Sequence, residues 1–151
     1  MKKKKAIVGI GLGVIMLTSI VGAMSVPTDR SKIGDIENKR QQKLEIIARA
    51  TVSWDKGLID DEQFIAAIEE STIDTDALRE EYLSLNLNPM YDDYKRLSID
   101  SLDQQKQAFL KLKEYLQTDD PEVQQSILEE YDEHMTRSIK YRTDAAREIE
   151  S

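Results

Sequence analysis

The sequence contains no cysteine and only one histidine, and it is poor in glycine and proline. The absence of cysteine excludes a disulfide scaffold, a thiol nucleophile, a cysteine-linked lipid anchor and cysteine-ligated zinc. Four of the six glycines fall within residues 1–25, and the three prolines stand far apart. Because helix-breaking residues are so few, and Glu, Gln, Lys, Leu and Ala are abundant, the rest of the chain favours helix over strand.

Positive charge is concentrated at the start of the chain. The formal net charge is −8, and the lysines at positions 2–5 contribute +4, so the 126 residues after position 25 carry −12. A surface this negative repels the phosphates of nucleic acids and anionic lipid headgroups. We therefore expect no nucleic-acid partner. The length gives room for one domain.

An uncharged, mostly apolar segment follows the four lysines. It covers residues 6–24, which is 19 residues, close to the ~20 that a helix needs to cross a membrane. Lysines next to such a segment prefer the cytoplasmic side of the membrane, so the remainder of the chain is expected on the extracytoplasmic side. Residues 1–25 are therefore interpreted as a signal peptide or a single transmembrane anchor. The first makes the protein secreted or bound at the cell surface. The second makes it a single-pass membrane protein with its N-terminus inside.

The remaining sequence predicts a linker at residues 26–32 and an extracytoplasmic helical domain at 33–151. Its first half, 33–85, reads as short helices. A helix is predicted over 31–52, with a polar and solvated stretch at 37–43. A second helix is predicted over 62–70, and a turn at 71–74 precedes a third that ends near residue 85.

The last sixty residues predict a long antiparallel helical hairpin over 89–151, with a turn around Pro121. Apolar residues recur at helical spacing in both arms, although Ser98 and Gln105 interrupt the first. The predicted fold is therefore all-α: an export segment, a short helix-turn-helix region and a hairpin that form a small bundle. Five tyrosines fall in the hairpin, and they serve either as core residues, which we favour, or as a binding surface: Tyr91, Tyr94, Tyr115, Tyr131 and Tyr141.

One short stretch carries a resemblance to known modules. Residues 54–68 read W-x-x-G-x-I-x-D-x-x-F-x-x-A-I, beginning at Trp54 and including Gly57, Asp61 and Phe64. The stretch resembles a helix-turn-helix module repeated in predicted surface proteins of ammonia-oxidising archaea and, more loosely, SHOCT-type modules of bacteria. The resemblance covers about fifteen residues and implies a packing module on an exported protein, without a specific chemistry. Physically, Gly57 allows the left-handed turn that ends a helix.

Chemically reactive groups are sparse and do not form a known catalytic pattern. His134 lies one helical turn after Glu130, so the two side chains can meet. The Glu-x-x-His spacing of di-iron bundles is missing, because Tyr131 occupies the acidic position. No nucleophile elbow accompanies the histidine. We therefore predict no catalytic, cofactor-binding or metal-binding residues, and a protein that is not an enzyme.

These observations favour a non-enzymatic extracytoplasmic protein that acts by contact, as a surface, envelope or membrane-assembly component. Its partner would be another envelope or membrane protein, or a second copy of the chain. Residues 6–24 would anchor the protein in the membrane if they are not cleaved. An alternative is a sensor or ligand-binding domain with a pocket formed by the tyrosines and Trp54. A weaker alternative is a metal-dependent enzyme that uses His134 and carboxylates.

The export prediction is tested with a reporter fused after Ser151. The reporter should be active only outside the cytoplasm, because the four lysines hold the N-terminus inside. Mass analysis of the protein recovered from cells would then show whether the segment is removed. Reporter activity inside the cytoplasm would contradict export in either form.

Overall fold

The computed structural model describes residues 28–150, and this part of the chain forms four long helices. They are α1 (Asp29–Asp55), α2 (Asp61–Ser84), α3 (Asp92–Gln117) and α4 (Pro121–Glu150), with a short 3₁₀ helix, Pro89–Tyr91, before α3. The predicted signal peptide or anchor at residues 1–25 lies outside the described residues. Within the described residues, no helix is both long and apolar enough to cross a membrane.

Side chains at the start of α1, α2 and α4 explain why these helices begin where they do. Thr28 accepts a hydrogen bond from the backbone of Ser31 at the start of α1, inside the predicted linker. Asp60 forms a reciprocal capping box with Gln63 at the start of α2, and Asp120 accepts from two backbone N–H groups of α4. These contacts satisfy backbone donors that have no partner within the helix.

The four helices form an antiparallel bundle in which chain neighbours pack together. Ion pairs record the antiparallel register: Lys39 of α1 with Glu81 of α2 and Lys43 with Asp74. Lys106 of α3 likewise pairs with Asp76 of α2, and Lys113 with Glu69. In α3 and α4, Lys111 pairs with Glu130. The connections 56–60 and 118–120 therefore lie at one end of the bundle, which we call the tip.

The prediction of an all-α bundle is confirmed for residues 28–150, and α3 and α4 are the most closely packed pair of helices. The predicted turn at 71–74 is wrong, because α2 continues through it. Thr72 and Thr75 turn their hydroxyls back onto the carbonyls of Ile68 and Ser71, so these polar and β-branched residues fit within a helix. The first half of the domain is thus two long helices that complete a bundle with the hairpin.

Two apolar clusters fill the bundle, one toward each end. The tip cluster contains Trp54, Phe64, Phe109, Leu112 and Tyr131 among others. The opposite cluster is built around Ile33, Leu78, Tyr82, Tyr94 and Leu102. A set of buried polar residues lies across the bundle between the two clusters, and its members come from all four helices. They are Glu37, Arg40, Ser71, Thr75, Ser98, Ser101, Gln105, Ser138 and Arg142. We call this set the polar layer.

Trp54 closes the tip cluster, so its replacement should destabilise the bundle. Its ring stacks on Phe64 with centroids 5.0 Å apart, and its Nε1 donates to Asp61 Oδ1 at 2.7 Å. Trp54→Ala should lower the free energy of unfolding by about 3–5 kcal/mol, the usual loss for emptying a buried aromatic site. Trp54→Phe, which keeps the ring contact, should lose less. Chemical denaturation measures both, with exposed Ile73→Ala as the control, and a Trp54→Ala variant as stable as wild type would contradict the packing role.

Candidate functional site, a polar layer with two buried arginines

The carboxylate of Glu37 is the centre of the polar layer. One oxygen, Oε1, accepts hydrogen bonds from the hydroxyl of Tyr82 and, at 2.9 Å, from the hydroxyl of Tyr94. The other, Oε2, accepts from Arg142 Nη2 at 3.2 Å. A residue of α1 is therefore held by one group from each of the other three helices.

Opposing effects act on the acidity of Glu37. Burial alone would raise its pKa, but the positive charges of Arg40 and Arg142 and the two tyrosine hydroxyls outweigh burial, so the pKa lies below its ordinary value. The pKa values of Tyr82 and Tyr94 are raised, mainly by burial and also by the nearby negative charge. Glu37 is thus a buried anion, and both tyrosines stay protonated donors.

Arg40 lies one turn after Glu37 and is 1% exposed. Its Nη2 donates to Ser101 Oγ at 2.7 Å and to Gln105 Oε1 at 3.3 Å. Its Nε and Nη1 are buried, and neither has a hydrogen-bond partner among the described residues. No carboxylate of residues 28–150 lies within 4.0 Å of its nitrogens, although its positive charge acts on Glu37 from one turn away.

Arg142 of α4, 5% exposed, is the second buried cation. Besides Glu37, its Nη2 lies 3.5 Å from Gln41 Oε1, while its Nε is buried and has no partner in the described part of the chain. Burial and the repulsion of Arg40 lower its pKa, against the attraction of Glu37. The layer therefore holds two cations and one anion, which leaves one positive charge in excess.

Small residues let α3 and α4 approach closely beside these charges. Ser101 Oγ donates to the Ser138 carbonyl at 2.7 Å, and Ser138 Oγ donates to the Ser101 carbonyl at 2.8 Å. Gln105 Nε2 donates to Thr75 Oγ1 at 3.0 Å and so ties α3 to α2. The result is a hydrogen-bonded network across the bundle rather than a set of separate pairs.

A cleft opens from the polar layer toward the surface between α1 and α4, the adjacent helices that approach each other least closely. Its volume is ≈ 20 Å³. The floor is polar and includes both arginines, and the walls are apolar. The lining residues are Arg40, Leu44, Gln105, Met135, Ser138, Ile139 and Arg142.

Of the residues that the sequence suggested as candidates, Tyr94 donates to Glu37 in the polar layer, and the others lie elsewhere. Four of the five tyrosines are buried, which confirms the expectation that they are core, and Tyr141 is partly exposed. His134 Nδ1 lies 2.8 Å from Gln104 Oε1 on α3, and Glu130 pairs with Lys111. No three His, Asp or Glu side chains of residues 28–150 are grouped so that they could hold a metal ion.

The prediction that residues 37–43 are solvated is wrong for two of them, because Glu37 and Arg40 are buried. A signal was present in the sequence. Ile33, Glu37, Arg40, Leu44 and Ile47 continue one helical stripe, so the two charged residues occupy core positions. Single charges at such positions become core residues only when partners from other helices reach them, and those partners are distant in sequence.

The chain matches no family model, no curated protein and no solved structure.

The lowered pKa of Glu37 predicts how stability depends on pH. A lowered pKa means that the folded chain holds the proton less tightly than the unfolded chain. The ionised carboxylate therefore stabilises the fold above pH 4.5, the ordinary value, and this contribution is lost as the pH falls through the folded-state pKa. Glu37→Gln should cost about 3–5 kcal/mol at pH 7, because it leaves buried cations unpaired.

The measurement is chemical denaturation of wild type and Glu37→Gln from pH 7 to pH 3. The difference in unfolding free energy should shrink at the acid end. Glu70→Gln, at an exposed position of α2, should stay close to wild type throughout. A wild-type-to-variant difference that is constant across this range would show that ionised Glu37 is not the stabilising species.

Proposed function

We propose that this chain is an exported, non-enzymatic helical bundle that acts by contact with another protein of the cell envelope or of a membrane assembly, and that the tip carries the contact. Export rests on the lysine-led apolar segment at residues 1–25. The contact role rests on one observation, the exposure of Leu58 on a fixed turn at the tip.

The backbone between α1 and α2 is fully specified by hydrogen bonds. Gly57 has a φ of 70°, in the left-handed region that glycine adopts without strain. Its N–H donates to the Trp54 carbonyl at 2.9 Å, and the N–H of Leu58 donates to the Ser53 carbonyl at 2.8 Å. This pair of bonds is the Schellman motif. The capping box of Asp60 follows directly, so the turn is held on both sides.

Leu58 departs from what this motif usually does. The apolar residue after the glycine commonly packs back on the last turn of the helix, but Leu58 is 73% exposed. Backbone hydrogen bonds and the packing of Trp54 already order the turn in the unbound protein. Binding through Leu58 would therefore cost little further conformational entropy. Val52 and Val123 are also exposed at this end of the bundle.

The position of the tip relative to the export segment supports the same proposal. The helix α1 begins at Asp29, just after residues 1–25, and its 27 residues span about 40 Å at 1.5 Å per residue. If the segment is retained as an anchor, the length of α1 allows the tip to lie up to that distance from the membrane. A contact surface at the tip is then accessible to other envelope proteins.

A second candidate function is a sensor or ligand-binding domain. The partnerless N–H groups of Arg40 and Arg142 beside the α1–α4 cleft favour it. The cleft is lined by neither Trp54 nor any of the hairpin tyrosines, so the ligand site differs from the pocket expected from the sequence.

Photo-crosslinking in intact cells tests the contact role. A photoreactive amino acid at position 58 should give a discrete adduct of fixed mass, and the same amino acid at position 73 should not. Ile73 is a matched control because it is 69% exposed and lies in the middle of α2. Leu58→Asp should abolish capture by a reactive group at position 52 and leave the melting temperature unchanged, as expected for an exposed site.

The adduct mass distinguishes the partner. A mass of twice the chain would identify a second copy, and any other discrete mass identifies a different protein. Equal crosslinking at positions 58 and 73, or none at position 58, would overturn the proposal that the tip is the contact surface.

A further inference from the structure

The buried arginines of the polar layer have more donors than the described chain has acceptors for them. Nε and Nη1 of Arg40 and Nε of Arg142 are buried and have no partner in residues 28–150. A buried donor without an acceptor forfeits its hydration without compensation, and the loss is greater when the donor is charged. These three nitrogens carry four N–H groups, and those groups call for an acceptor.

The net charge of the polar layer also favours an additional acceptor, one that is negatively charged. The layer contains two guanidinium groups and one carboxylate, and that carboxylate is already shared by Arg142, Tyr82 and Tyr94. Arg40 donates only to neutral oxygens of Ser101 and Gln105. An acceptor that also carried one negative charge would neutralise the excess, which a water molecule cannot do.

Both arginines line the cleft, so the cleft is the opening in the bundle nearest to these donors through which a ligand could enter, and its size limits the ligand. Its ≈ 20 Å³ is about the space that one water-sized group requires. Phosphate and sulfate are larger and carry close to two negative charges at neutral pH, which would reverse the excess charge, whereas a carboxylate is smaller and carries one. Leu44, Met135 and Ile139 line the walls, and they offer apolar contact to whatever extends outward from that head.

We propose that the cleft between α1 and α4 binds the carboxylate of a small aliphatic monocarboxylic acid, with Arg40 and Arg142 as donors and the aliphatic part against Leu44, Met135 and Ile139. The carboxylate supplies one negative charge and acceptor oxygens for the partnerless N–H groups. Charge-assisted hydrogen bonds of this kind are among the stronger ones in proteins. The proposal concerns a different surface from the tip, and it stands or fails independently of the contact role.

The test uses the full chain and four probes: sodium butyrate, sodium acetate, sodium chloride and uncharged butyramide. The three salts are compared at equal concentration, so the ionic strength is the same. Butyrate should raise the melting temperature saturably and shift the Nε–H resonances of Arg40 and Arg142 in ¹H–¹⁵N spectra. Acetate should act more weakly, because it has less aliphatic surface. Butyramide and chloride should produce neither effect.

Two variants assign the effect to the cleft. Arg40→Met removes the excess charge and leaves Glu37 paired with Arg142, so it should fold and should weaken butyrate binding by about 10- to 100-fold. Ile139→Trp fills the cleft without changing a charge and should weaken binding as well. Arg96→Met, at an exposed arginine of α3, is the matched control and should bind as wild type does.

Several outcomes would overturn the proposal. One is the absence of any saturable response of the wild-type chain to butyrate. Another is an equal response to chloride, which would make the site one for a halide-sized anion. Undiminished binding in both Arg40→Met and Ile139→Trp is the third. If Arg40→Met does not fold, the wild-type titration and Ile139→Trp decide the question.

Discussion

The buried carboxylate of Glu37 is the interaction on which the arrangement of the four helices depends. It accepts from Tyr82 of α2, Tyr94 of α3 and Arg142 of α4. Apolar contacts in the clusters on either side drive association but tolerate small shifts, because the hydrophobic effect has no direction. A hydrogen-bonded charge does not tolerate them, since sliding α1 by one residue would leave a buried ion without partners. Glu37 therefore fixes the register of α1 against the other three helices.

The charged residues of the polar layer do not balance one another in charge. A single glutamate with a single arginine would be neutral, but both Arg40 and Arg142 lie in the layer and are buried. The two cations repel each other, which is one reason why the pKa of Arg142 is lowered. The seam between α1 and α4 is also the least closely packed of the adjacent pairs. Excess charge and loose packing thus coincide at one place, and that place is the cleft.

Much of the fold follows from the sequence, because helix formation and capping are local. The scarcity of breakers, the stripe in 89–151 and the turn at Gly57 all predict what the structure contains. The continuity of α2 does not follow from the sequence, because serine and threonine are common in turns, whereas the hydroxyls of Thr72 and Thr75 here donate to carbonyls within the helix. The polar layer was missed for a different reason. Its partners come from all four helices, and no local pattern pairs residue 37 with residue 142.

The helix α1 connects features that the sequence presents separately. It follows the apolar segment at residues 6–24 in the sequence, contributes Glu37 and Arg40 to the polar layer, and ends in the Gly57 turn that exposes Leu58. Along most of its length it packs on α2, and it meets α4 chiefly through the polar layer. Removing the carboxylate would leave α1 facing α4 across two like charges. The net negative charge of the residues beyond 25, −12 in all, adds repulsion that surface ion pairs offset only weakly. The attachment of α1 to α4 therefore depends on how completely the charges of the layer are compensated, and any anion that reached Arg40 would act on that attachment directly.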